Sequence, residues 1–235
     1  MQLISIGIQA RLNSTRLPRK ILKQINSKRV LDYVLDAAFK TKKYINRHSH
    51  RNGMEVKIHL LIPEGDEIHV PRGVEVIKGS EEDVLSRYAK IVQDEEVNYV
   101  VRITSDCPLV PYALINKAIT VAIKGDFDFV TNASPLVRTF WDGSDIEVVS
   151  ARLLRWMDMA FSCPNFREHV TLGLHTEFPK WASRAHIFSD IDLSTLKLSI
   201  DTLEDIERVG RMLESVTSKI HHWEMENGPN TTYKF

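Results

Sequence analysis

Apolar positions in this chain fall into short unbroken runs and helical stripes, taken by turns. Leu3-Ile4-Ser5-Ile6-Gly7-Ile8 is apolar on both faces, the pattern of a strand buried within a parallel sheet. Val30, Leu31, Val34, Leu35 and Ala38 recur at helical spacing and predict a helix over 30–42, followed by a polar surface loop over 44–53. Further strands are expected over 54–62, 74–77, 99–103, 127–131 and 146–149, then 181–187 and 196–199. Helices are expected over 81–95, 111–124, 151–160, 167–175 and 202–216, with Ser80, Pro111 and Thr202 as their start residues where these occur. Alternation of this kind predicts a mostly parallel central sheet covered by helices. No repeat, low-complexity tract or linker interrupts it, so residues 1–235 are expected to form a single domain.

Composition changes this picture little, and charge changes it more. A chain of 235 residues can bury one large α/β core. Its 31 basic and 31 acidic residues cancel, which argues against a nucleic-acid coat or a membrane-surface protein. The balance is uneven along the chain. Residues 1–60 hold 13 Lys and Arg against 3 Asp and Glu, which leaves 18 against 28 in the rest. A basic front with an acidic remainder fits a polyanion held with a divalent metal, and equally fits ordinary solvated faces. Cys107 and Cys163 have no zinc-type spacing and make a disulfide framework unexpected. Arg11 and Arg16 interrupt the first apolar run, so a signal peptide or membrane span is not expected and a cytoplasmic location is.

Candidate chemistry concentrates just after the first strand. Gln9 to Lys20 carries Arg11, Arg16, Arg19 and Lys20, with the hydroxyls of Ser14 and Thr15, where a loop should leave the carboxyl end of a strand. Ligands of open α/β sheets bind at that edge, and loop N–H groups can face an anion. The loop has neither GxxxxGK[ST] nor GxGxxG, which disfavours a P-loop NTPase or a dinucleotide-binding dehydrogenase. Without glycine, Asn13 is the residue expected to take left-handed geometry. Asp106 and Asp201 each follow an apolar run and could serve a metal. Asp106 also suits a plain turn before Pro108, and Asp201 a helix start favoured by the dipole. Gly79 to Arg87 joins a strand to a helix; Asp145 and Glu147 share a strand face; Arg167, Glu168 and His169 cluster at a helix start.

In order, IQARLNSTRLPRKIL, GSEEDVLSRY, VVRITSDCPLV, DFVTN, DGSDIEV, REHVT and LSIDTLEDIERV resemble the cytidylyltransferases of the spore-coat polysaccharide, acylneuraminate and 3-deoxy-manno-octulosonate type. They span residues 8 to 209. The resemblance implies a nucleotide-diphospho-sugar transferase fold, a Rossmann-like three-layer α/β/α sandwich. It implies that CTP and an acidic sugar-like acceptor give a CMP-linked product and pyrophosphate, in surface polysaccharide or glycoconjugate biosynthesis. Nucleotide binding is carried onto Ala10, Arg11, Ser14, Arg16, Lys20, Ser80 and Asp106. Mg²⁺ is carried onto Asp106 and Asp201, catalysis onto Arg11, Lys20, Asp106 and Asp201, and the acceptor onto Asp145, Glu147, Arg167 and His169. A homodimer is compatible with this reading. A glycosyltransferase using a nucleotide sugar, or a non-catalytic nucleotide-binding subunit, are the alternatives. The chain departs from the family at Arg19, where Gly is common, and at Gly143-Ser144-Asp145, where Gly-Leu-Asp is common.

Overall fold

The computed structural model describes residues 2–48, 53–93, 96–135, 137–213 and 233–234. Ten strands are described: β1 (Gln2–Gln9), β2 (Gln24–Ile25), β3 (Lys28–Arg29), β4 (Met54–Pro63), β5 (Glu75–Gly79), β6 (Val97–Thr104), β7 (Phe129–Thr131), β8 (Glu147–Ser150), β9 (Arg184–Ile187) and β10 (Tyr233–Lys234). Helices are α1 (Val30–His48), α2 (Val84–Ile91), α3 (Tyr112–Gly125), α4 (Ala151–Ala160) and α5 (Pro164–His169), followed by α6 over 203–213. The main sheet runs β10-β9-β7-β8-β6-β1-β4-β5. Strand pairing is parallel apart from β8, antiparallel to both β6 and β7, and β10, antiparallel to β9.

Each face of the sheet is covered, which makes three layers. Ile4, Ile6 and Ile8 of β1 pack in one core with Val34 and Leu35 of α1 and Ile115 and Ile119 of α3. On the other face Leu61, Val100 and Val149 pack with Leu85 of α2 and Leu153, Leu154 and Met157 of α4. Alternation along a strand sends successive side chains to opposite faces, so a central strand needs apolar residues at nearly every position. None of the described helices is long and apolar enough to cross a membrane.

Several boundaries differ from the sequence expectation, each for a local reason. Helix α1 continues to His48 because Thr41 and Ile45 extend its buried stripe into the expected loop. Helix α2 starts at Val84, since the Asp83 side chain accepts from Ser86 N at 2.9 Å and so caps it; Ser80 Oγ instead accepts from Asp83 N. The expected 167–175 helix breaks at Val170 into α5 and a 3₁₀ turn over Leu172–His175. Residues 196–199 form no strand, only a bridge from Lys197 to Asp142. The β2–β3 hairpin turns through Asn26 and Ser27, both at positive φ (47° and 66°), as a tight hairpin requires. Residues 49–52, within the expected loop, and 94–95 and 214–216, the ends of two expected helices, lie outside the described residues.

Candidate active site

Strands β1, β4 and β6 end side by side, with Gln9 paired to Leu61 and to Thr104. The loop leaving β1 is pinned at once. Ala10 N donates to Leu61 O at 2.9 Å, and Leu12 O accepts from both Ser14 N (3.0 Å) and Arg19 N (2.9 Å). Closure puts Arg19, not Asn13, in left-handed geometry, at φ 57° and ψ 29°. That is the conformation a glycine adopts without strain, so Arg19 keeps the loop's shape at a cost of about 1 kcal/mol. The N–H groups of Arg11, Asn13, Thr15 and Arg16 donate to no protein acceptor among the described residues. A cleft follows, lined by Gln9, Ala10, Arg11, Ser14, Thr15, Arg16 and Lys20 from the loop side. Glu81, Val84 and Arg87 line it from the α2 side, Thr104, Ser105 and Asp106 from the end of β6, and Glu168 and His169 from α5.

At the other end of the loop, Lys20 joins two carboxylates. Its Nζ lies 2.6 Å from Asp106 Oδ2 and 3.1 Å from Asp201 Oδ1. Burial disfavours the Lys20 charge, but attraction and hydrogen bonds to Asp106 and Asp201 outweigh it and raise the pKa. Asp201 also receives Arg16 and Lys197, each at 2.8 Å. Burial opposes its charge, yet the Lys197 and Lys20 hydrogen bonds hold its pKa below the usual range. The two aspartates are brought together by the backbone, since Ile200 N donates to Asp106 O at 2.9 Å. Asp205 completes the frame: its Oδ2 accepts from Asp201 N and Thr202 N, while Thr202 Oγ1 accepts from Asp205 N. This is a reciprocal capping box that starts α6 and orients Asp201.

Beside the cleft is a second hollow, lined by Arg102, Ala133, Pro135, Asp145, Glu147, His169, Thr171, Leu172 and His175. Arg102 and Glu147, paired across β6 and β8, form a salt bridge in it. Arg102 also donates to Gln9 Oε1 (2.9 Å), and Thr171 Oγ1 donates to Glu147 Oε1 (2.6 Å). Asp145 is bonded to Arg138. Burial, reinforced by Glu147 and Asp142, still lifts its pKa to about 6. Val170 stands at φ 55° and ψ −73°, and Thr171 N donates to His169 O at 2.7 Å. This is the rare γ-turn of positive φ, strained for any residue and more so for a β-branched one. It leaves His169 in the wall shared by cleft and hollow. Gly143, at φ 102°, holds the start of the Asp145 segment against Leu198 and Ser199; a Cβ there would sit 2.7 Å from Ser199 N.

The family model described as cytidylyltransferase matches residues 6–152, from β1 through β8. The chain belongs to the cytidylyltransferase family. It is 30% identical over 214 residues to the spore coat polysaccharide biosynthesis protein SpsF of Bacillus subtilis, covering 86% of this chain and 82% of that one. Among solved structures it is similar to a cytidylyltransferase from Leptospira borgpetersenii, with TM-score 0.78 and 25% identity, over 96% of this chain and 95% of the other. It shares its fold with a CMP:2-keto-3-deoxy-manno-octonic acid synthetase complexed with CTP (TM-score 0.62, 16% identity, 92% and 99% covered).

Within this cytidylyltransferase the structure gathers most of the residues singled out in the sequence. Ala10, Arg11, Ser14, Arg16, Lys20 and Asp106 line the cleft, and Asp201 reaches it through Lys20 and Arg16. Asp145, Glu147 and His169 line the hollow. Two residues are placed elsewhere. Ser80 is spent on the turn before α2. Arg167 clamps Asp83 and Asp158, each at 2.7 Å, and donates to the carbonyls of Asp158 and Phe161. Glu81 and Arg87 also line the cleft, and Arg102 and Thr171 the hollow, although the sequence assigns none of them an individual role. Arg102 had a readable signal, a cation inside an otherwise apolar strand. A cation, the Lys20 ammonium, already sits between Asp106 and Asp201. Among the described residues no three His, Cys, Asp or Glu converge. Asp106 and Asp201 nevertheless lie close enough to share one cation, and Mg²⁺ commonly takes one or two carboxylates with phosphate and water oxygens.

Proposed function

We propose that this chain, working as one nucleotidyltransferase domain, transfers a cytidylyl group from CTP to an anionic sugar-type acceptor and releases pyrophosphate. The product would be a CMP-linked sugar for surface polysaccharide or glycoconjugate synthesis. The observation that carries this reading is His169 in the wall between two adjoining sites. One is a cationic cleft beside a bridged aspartate pair; the other is a hollow that holds Arg102, Asp145, Glu147 and His175.

The acceptor oxygen attacks the α-phosphorus, and the bond from that phosphorus to the bridging oxygen of pyrophosphate breaks. Positioning and charge stabilisation dominate such chemistry. Arg11, Arg16 and the loop N–H groups would hold the phosphates, with Arg suited to bidentate contact. Lys20 supplies positive charge where pyrophosphate departs. Asp106 and Asp201 would hold Mg²⁺, which supplies Lewis-acid polarisation of phosphate oxygens. Asp145, Glu147 and His169 are assigned to the acceptor, and Arg167 is not.

A thermal-shift comparison of the four nucleoside triphosphates with Mg²⁺ tests the nucleotide half, because a ligand that binds only the folded state raises stability by mass action. CTP is expected to give the largest shift; equal shifts would remove the cytidine assignment. Phosphorus NMR on an acceptor panel tests the reaction. Pyrophosphate is expected, whereas release of a nucleoside diphosphate would indicate a glycosyltransferase, and CTP binding with no product a non-catalytic subunit.

A further inference from the structure

Two buried charges hold the loop after β1, Arg87 from the wall of the cleft and Asp66 from outside its lining. Arg87 of α2 is 2% exposed, and its NH1 donates to the carbonyls of Ala10 (3.3 Å) and Leu61 (2.9 Å). Asp66, 8% exposed and lying between β4 and β5, accepts from Leu12 N at 2.7 Å. The arginine has its own fitted passage, because a Cβ on Gly79 would lie 2.8 Å from Arg87 Cγ. Burial disfavours the Arg87 charge, and Asp66 is among the groups that offset this.

These contacts grip the peptide on each side of Arg11. A trans peptide is planar, with C=O and N–H pointing opposite ways. Fixing Ala10 O therefore fixes the direction of Arg11 N–H, a donor of the cleft-lining loop with no protein acceptor among the described residues. Fixing Leu12 N likewise fixes the peptide that follows Arg11. We propose that Arg87 and Asp66 are positioning residues, which set both peptide planes around Arg11 so that its N–H and guanidinium meet the phosphates together. The inference rests on the nucleotide-binding reading above.

Inorganic tripolyphosphate is a suitable probe, since it samples neither base nor acceptor. Its affinity for the full chain is measured by calorimetry for wild type, Asp66→Ala and Asp66→Asn, with circular dichroism to confirm folding. Asp66→Ala is expected to bind about tenfold more weakly. Asp66→Asn, whose amide oxygen can still accept from Leu12 N, is expected to restore most of the affinity. Equal binding by wild type and folded Asp66→Ala, or no rescue by Asp66→Asn, overturns the proposal and leaves the nucleotide reading standing. Absence of binding by wild type overturns both. Amide exchange in wild type supplies a measurement that needs no variant. Leu12 N–H should be protected without ligand, and Arg11 N–H only once tripolyphosphate is added. Fast exchange at Leu12, or a protected Arg11 without ligand, overturns the clamp.

Discussion

Lys20 is the cation that Asp106 and Asp201 share, so removing it leaves Asp106 beside Asp201 without that bridge, while Asp201 keeps Arg16 and Lys197. Lys20→Met is expected to cost about 1–3 kcal/mol in metal-free buffer. Mg²⁺ should then stabilise the variant more than it does wild type, because it takes up the lost counter-charge; melts with chelator and with Mg²⁺ check this. The cationic character of this residue was legible from its place after an apolar run. Its bridging role was not, since its partners lie 86 and 181 positions away. Asp145 gives a second test. With its folded pKa at about 6, the native state keeps a proton that the unfolded chain releases at about pH 4. Stability should therefore fall as pH rises from about 4 to about 6 and stay lower above that. Asp145→Asn should flatten this limb in a series of denaturant titrations. The same ionisation should raise KM for an anionic acceptor over that range.

Elements show where local pattern stops being informative. Apolar spacing runs across Val170 without a break, so the sequence reads as one helix where the backbone in fact reverses into a γ-turn. Val170→Ala and Val170→Gly both delete a buried side chain, but only glycine relaxes the positive φ. The glycine variant is expected to be the more stable of the two by about 1–2 kcal/mol, the reverse of the usual order, and paired melts decide it. If the strain serves to hold His169, Val170→Gly should also show a higher acceptor KM than Val170→Ala. The start of α6 was better announced, since Thr202 followed by Asp205 is a readable cap. Burial opposes the charge of Asp205, but the N–H groups of Asp201 and Thr202 and the Arg208 side chain bring its pKa to about 2. Its contribution is thus present above about pH 4 and lost as pH falls towards 2. Asp205→Ala should cost about 1–2 kcal/mol at neutral pH and slow turnover through a misplaced Asp201.

At the scale of the molecule, alternation of run and stripe made the layers legible, because period separates strand from helix whatever the final order. Strand direction was not, since an apolar run such as Ile146-Glu147-Val148-Val149 reads the same both ways. That strand, β8, is antiparallel to both neighbours and so brings its first residue, Glu147, to the edge where β6 brings its last. The front surplus of Lys and Arg should make CTP affinity fall with ionic strength, to be read from Kd in rising salt. The reversed strand has a consequence for descent. The cleft proposed for the nucleotide is lined from 9–21, 81–87 and 104–106, with Glu168 and His169 at its rim, whereas the hollow is built from 133–147 and 169–175, apart from Arg102. On the proposed reading, two segments of the chain set the acceptor, and both can change while the residues that line the nucleotide cleft stay as they are. A chimera that receives both segments from a relative should adopt that relative's acceptor and keep its own nucleotide. Grafting either segment alone should fail where it breaks the hydrogen bond from Thr171 to Glu147, which joins the two segments.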